Sequence, residues 1–226
     1  MITYDSYLLD ENKDTLLLIL GWNVSKEYMS SFINVYKNKF NIINIDLFKN
    51  LDKAYTIDSF IEEINQIVNK INRKKLVIIS HSFGGKLAYF YSKKYPVESC
   101  LLIAPSLIKP RFNLIRLIKI YMYKLLKKLK VKIPPCLLGS KDYRVIDGYK
   151  RKTFLNCYNT YLGRKEQTDT KFLIVGFTLD KEIKRYQIRK CHKYLVNSKC
   201  IFYPGNHFTY LDYIKEICVK FNEYLS

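Results

Sequence analysis

Glycine and proline are scarce in this chain, eight and six among 226 residues. That excludes a collagen-like repeat or a linker-rich chain. The longest unbroken aliphatic run covers residues 16–20, far short of the roughly 18 residues a membrane-crossing helix needs. Residues 1–14 are acidic, with no basic stretch before an apolar one, so no secretory leader is expected. The six cysteines, at 100, 136, 157, 191, 200 and 218, contain no Cys-x-x-Cys spacing. They read as reduced thiols rather than a disulfide frame or zinc site, and the expected compartment is the cytoplasm. Acidic residues are also few, 20 against 39 Lys and Arg, a formal charge of +19. What is plentiful is apolar side chain, 48% of the total, enough for one well-filled domain and too much for disorder.

The charge is unevenly placed. Residues 107–165 hold sixteen Lys and Arg against Asp142 and Asp147 alone, a net of +14. This composition shift marks residues 107–168 as an insertion, set between core segments 1–106 and 169–226. From Arg111 to Ile133 apolar and basic residues alternate at helical spacing. Leu114, Leu117, Ile118, Tyr121, Leu125 and Leu129 are expected to face inward, and Arg116, Lys119, Lys124, Lys127, Lys128 and Lys130 outward. A basic outer face suits an anionic membrane surface or an acidic carrier protein. Nucleic acid is disfavoured, because no aromatic platform accompanies the basic stripe.

Elsewhere, strand and helix signals alternate. Apolar runs at 16–20, 76–80, 99–103 and 172–175 predict buried strands, with further strands at 2–9, 41–46 and 200–203. Helical periodicity covers 25–36, 57–71, 86–94, 181–196 and 208–225. Within the first of these, Tyr28, Phe32 and Val35 share a face. Thr56 is a suitable N-cap for the second. The predicted class is α/β: a mostly parallel central sheet of about seven strands, helices on both faces, and a helical cap.

One segment carries chemistry. A buried strand runs into Ser80-His81-Ser82-Phe83-Gly84 and then a helix. This is a Gly-x-Ser-x-Gly nucleophile elbow whose first glycine is Ser80. The turn is so tight that the residues two before and two after Ser82 must be small. Ser82 then projects at a helix N-terminus, where backbone N–H groups favour a developing oxyanion. A base must accompany it, and there are three histidines. His81 adjoins Ser82 and must point elsewhere; His192 sits in a charged helix. His207, in Pro204-Gly205-Asn206-His207-Phe208, follows a strand and can reach the serine. The acid belongs after the preceding strand, where Gly176-Phe177-Thr178-Leu179-Asp180 offers Asp180, with Glu182 and Asp212 as alternatives. Asp180 could instead cap a helix starting at Lys181, and one carboxylate serves both roles only with difficulty.

These segments resemble an α/β-hydrolase of the capped, lipase- and esterase-like kind, over nearly the whole chain. Residues 16–22 resemble the strand leading to the oxyanion loop, 80–85 the elbow, 172–180 the acid-bearing strand, and 205–208 the histidine loop. The insertion resembles a helical cap down to Gly139-Ser140-Lys141-Asp142-Tyr143-Arg144. The resemblance implies Ser82 as nucleophile, His207 as base, Asp180 as acid, and the backbone N–H groups of Trp22 and Phe83 as oxyanion donors. It implies hydrolysis of an acyl ester or thioester through an acyl-enzyme, with no metal or organic cofactor. Four departures stand against it. Leu20 replaces the usual histidine before Gly21, and residues 47–51 replace a glycine-containing stretch after Asp46. Asp180 stands four residues after Gly176 where the family has three, and the region before Leu16 is short, which predicts seven strands rather than eight. The changes at Leu20 and after Asp46 make an inactive scaffold binding an anionic partner the alternative to an enzyme, and a same-fold lyase is a third reading.

Overall fold

The computed structural model describes residues 1–8, 10, 12–71, 74–111, 114–134, 146 and 148–225. Seven strands form one sheet: β1 (Thr3–Tyr7), β2 (Thr15–Ile19), β3 (Asn41–Asp46), β4 (Leu76–His81), β5 (Ser99–Ile103), β6 (Lys171–Phe177) and β7 (Ser198–Tyr203). Their order is β1-β3-β2-β4-β5-β6-β7. Only β1 runs antiparallel to its neighbour β3; the other pairs are parallel. The central strands β2, β4 and β5 are buried at every position. That is why they read as solid apolar runs: helices cover both faces of a parallel sheet, so neither face alternates.

The described helices are α1 (Ser30–Tyr36), α2 (Ile57–Ile71), α3 (Phe83–Ser92), α4 (Leu114–Lys128), α5 (Gly148–Tyr158), α6 (Arg185–Tyr194) and α7 (Ile214–Leu225). In α2 the periodic residues Ile57, Phe60, Ile61, Ile64, Ile67 and Val68 are buried. Its start is pinned by Thr56 and Ser59, whose hydroxyls accept from each other's backbone N–H at 2.8 and 3.1 Å. The expected helix 25–36 divides into a 3₁₀ turn, Lys26–Met29, and α1. Met29, Phe32, Ile33 and Tyr36 are its buried residues, whereas Tyr28 and Val35 face solvent. The change from 3₁₀ to α winding shifts the face that three-residue spacing would have selected.

Between β5 and β6 lie α4 and α5. Helix α5 is tied to the core: the Thr153 hydroxyl accepts from Tyr55 N at 2.9 Å, and Asn156 Nδ2 donates to Tyr55 O at 3.1 Å. Helix α4 corrects the sequence reading. Leu114, Ile118, Tyr121, Leu125 and Leu129, expected inward, are exposed. It is α5, with its buried Thr153 and Cys157, that packs on the core. Residues 139–144 lie outside the described residues. No described helix is long and apolar enough to cross a membrane.

Candidate active site

Strand β4 ends at His81 and α3 begins at Phe83, leaving Ser82 as the whole turn. Its backbone sits at φ 53° and ψ −112°, a region an L-residue occupies only when its surroundings over-determine it. They do so here. Ser82 N donates to Ile103 O at 2.9 Å, and Ser82 O accepts from Gly85 N and Ser106 N at 3.1 and 3.0 Å. The need for small neighbours is visible on both sides. A Cβ on Gly84 would lie 2.1 Å from Ile19 O, so α3 crosses β2 where no side chain fits. Ser80 is buried and its hydroxyl donates to Leu101 O at 3.1 Å, which satisfies the polar atom that replaces glycine there.

Asp180 and His207, 27 residues apart, are in contact: His207 Nδ1 lies 2.7 Å from Asp180 Oδ2. Both are buried. The loops that carry them are held together by Thr178 N donating to Tyr203 O at 3.0 Å and Leu179 N to Gly205 O at 2.9 Å. The second carboxylate oxygen, Asp180 Oδ1, accepts from Glu182 N at 2.7 Å and Ile183 N at 2.9 Å. One oxygen thus faces His207 while the other holds the turn at 182–183. These turn bonds also correct a helix boundary, since they delay α6 to Arg185. Burial works against the Asp180 charge, but the His207 bond and the two N–H groups outweigh it and hold the carboxyl below its usual range.

On the other side of the ring, His207 Nε2 lies 3.4 Å from Glu182 Oε2. Glu182 and Ser82 line one cavity of about 460 Å³ at the carboxyl ends of the strands, where α/β proteins place ligands. Trp22, Phe83, Phe154 and Tyr158 also line it. Phe83 opens α3, so its N–H has no acceptor within the helix. The Trp22 ring is wedged against Phe48, Phe154 and Phe83, with centroids 4.3, 5.1 and 5.5 Å away. The missing glycine stretch after Asp46 is replaced by a turn in which Asp46 Oδ1 accepts from Phe48 N and Lys49 N, at 3.1 and 3.0 Å. A more open groove of about 920 Å³ lies at the opposite strand ends, lined by Leu76, Glu98 and Lys171, remote from all of these residues.

The other candidates lie apart or serve differently. His192 is exposed, with Nδ1 2.8 Å from Ser198 Oγ. Asp212 is exposed on the 3₁₀ turn Thr209–Tyr213. His81 is fully buried with Nε2 3.1 Å from His207 O; burial, and then the neighbouring His207 ring, push it down to about 3, so it is neutral. Its ring supports the His207 loop. Lys86 is the lining residue that sequence reasoning passed over, although a lone lysine four positions after Ser82 in an apolar helix was a visible signal. No cluster of three or more His, Cys, Asp or Glu among the described residues is arranged to hold a metal.

No family model matches the chain. Among solved structures, it is similar to a membrane phospholipase A described as a bacterial virulence factor, at TM-score 0.73 and 18% identity, covering 99% of this chain and 82% of that one. A thermophilic esterase from Thermogutta terrifontis superposes at TM-score 0.70 and 11% identity, covering 99% and 92%. MenH from S. aureus does so at 0.69 and 17%, covering 98% of both chains. The protein therefore has the α/β-hydrolase fold. Among curated sequences, 121 residues are 28% identical to a probable 1-acylglycerol-3-phosphate O-acyltransferase of Oryza sativa subsp. japonica. The alignment covers 46% of this chain and only 28% of the rice protein's length.

Proposed function

We propose that this protein is a serine hydrolase that cleaves a carboxylic ester or thioester. The observation that carries the reading is Ser82, held at positive φ at the mouth of α3 and facing a cavity. In this reading Ser82 Oγ attacks the acyl carbon while His207 Nε2 takes its proton. Asp180 holds Nδ1–H and stabilises the imidazolium. The N–H groups of Phe83 and Trp22 receive the oxyanion. The leaving group takes the proton back from His207, and water then cleaves the acyl-Ser82 bond by the same route. Glu182, beside Nε2, is exposed enough to swing aside when Ser82 engages the ring; such bonds tighten on substrate binding. The hydrolases among the structural neighbours support the reaction class. The free thiols of Cys100, Cys157, Cys191, Cys200 and Cys218 support a reducing compartment, the cytoplasm.

A fluorophosphonate probe followed by peptide mapping tests this. Wild type should label at Ser82 alone, and Ser82→Ala should not label. A folded wild type that never labels and turns over no ester would favour the inactive scaffold.

A second observation concerns the partner. Ile118, Tyr121 and Leu129 are 54, 68 and 61% exposed, in line with exposed Leu114 and Leu125. Residues 107–133 carry nine Lys and Arg and no acidic residue. An apolar stripe flanked by lysines suits an anionic lipid surface: the stripe inserts and the lysines meet headgroups, each contributing about 1 kcal/mol. A second copy of the chain would bring nine cations against nine. We therefore assign α4 as an anionic-membrane docking helix. Sedimentation with anionic vesicles should show binding that falls steeply with salt and is lost when Lys124, Lys127, Lys128 and Lys130 become Gln. Neutral vesicles should not bind. Failure to bind anionic vesicles at low salt, capture by an acyl carrier protein instead, or concentration-dependent dimerisation would each overturn it.

A further inference from the structure

Lys86 lies one turn along α3 from Ser82 and is only 4% exposed. Its Nζ donates to Cys157 O at 3.3 Å and stands 4.5 Å from the Tyr161 ring centroid. An ammonium has three donors, and this bond engages one. Among the described residues no carboxylate lies within ion-pair distance of Nζ, and the cavity's acidic residue, Glu182, is directed at His207. Burying a charge without a counter-charge costs several kcal/mol. A carbonyl and an aromatic face recover part of that cost and supply no negative charge. A methionine would fill the same space without it. Lys86 and Ser82, one helical turn apart, line the same cavity.

We propose that Lys86 is an anion-recognition residue: the cavity takes an ester bearing a carboxylate or phosphate close to its scissile acyl group, and Lys86 supplies the counter-charge. This rests on the Ser82 reading for the chemistry, and on the cavity alone for the binding. Burial lowers the amine to about 8, which leaves most of it charged at neutral pH. The titratable groups around it are Cys157 and Tyr158 of α5, Tyr161 and Glu182. Of these the Cys157 thiol is pushed up to about 12 by burial, so it contributes no counter-charge either. Among the described residues none supplies the counter-charge, which leaves it to come with the ligand.

Two measurements test this. The first compares kcat/KM on 4-nitrophenyl hydrogen glutarate and on the neutral 4-nitrophenyl valerate. Wild type should prefer the charged ester. Lys86→Met should lower the charged-to-neutral ratio by roughly 10–100-fold, the range for a hydrogen bond to a charged group, and Lys86→Arg should restore part of it. In wild type the ratio should decline as the pH rises from 7 to 9.5 and the amine loses its proton. The second uses Trp22, the single tryptophan, which lines the cavity. In Ser82→Ala protein, glutarate and ethyl phosphate should change its fluorescence saturably, and pentanol should not. The tighter of the two anions names the group. Lys86→Met on that background should weaken binding at least roughly tenfold. A ratio that does not respond to Lys86→Met or to pH, with no anion binding at Trp22, overturns the proposal while leaving the hydrolase reading intact. Anion binding that depends on Lys86, in a protein that turns over neither ester, supports the anion site and refutes the hydrolase.

Discussion

In the proposed triad, replacing Asp180 by Asn separates the acid's chemical role from its structural one. Asp180 Oδ1 accepts two backbone N–H groups, and Oδ2 faces His207 Nδ1. An asparagine can keep its oxygen on the backbone pair. Its Nδ2–H₂ then points at Nδ1–H, donor against donor. The ring relieves this by moving its proton to Nε2, where it can no longer accept from Ser82. The expected loss in kcat is about 10⁴-fold, or roughly 5 kcal/mol of transition-state stabilisation. Folding should suffer little, because a charge-assisted bond is exchanged for a neutral one at a cost of about 1 kcal/mol. Asp180→Ala should lose as much activity and also strand the N–H groups of Glu182 and Ile183, lowering stability by about 2–4 kcal/mol. The assays are turnover of a 4-nitrophenyl ester and urea denaturation followed by Trp22 fluorescence. Acid titration adds a sign. The folded carboxyl is held below its unfolded value of about 4, so its stabilisation is present above that pH and lost as pH falls through the folded value. Asp180→Asn should flatten that limb. Retention of more than a tenth of kcat in Asp180→Asn, or a crippled Glu182→Gln beside it, would refute the reasoning and move the acid to Glu182.

Two further outcomes follow from buried contacts. The His81 ring protonates near 6.5 when unfolded but only near 3 when folded. The unfolded chain therefore binds the extra proton between these values, and stability should fall with pH across that window by up to about 1.4 kcal/mol per unit; urea midpoints between pH 7 and 4.5 should show a shallower fall in His81→Gln. In Gly84→Ala the new methyl meets Ile19 O at 2.1 Å and Leu20 O at 2.7 Å, backbone atoms that cannot step aside. A loss of at least about 2 kcal/mol is expected, lowering the melting temperature by roughly 4–8 °C. Gly163→Ala, with nothing within 4 Å, should melt like wild type; equal behaviour of the two variants would contradict the close crossing of α3 and β2.

The layers of this protein are legible in its local residue pattern. The runs that became β2, β4 and β5 are apolar throughout because both faces of the sheet are covered. Helix α2 has the bounds that its periodicity and Thr56 predicted, because a 15-residue apolar stripe and a cap are local features. The elbow was legible for the same reason: the strand, the small residues and the helix that shape Ser82 are contiguous. Tertiary structure decided the rest. Which histidine meets which carboxylate depends on two loops brought side by side by β6 and β7, so the Asp180–His207 contact was one of several options in the sequence, and the separate partners of the two Asp180 oxygens follow from the folded turn. The exposure of α4 and the burial of Lys86 were misjudged or missed because periodicity shows that a helix has two faces, not what covers either one. That is settled by long-range packing: among the described residues α5, rather than α4, lines the cavity, and its Cys157 carbonyl holds the lysine.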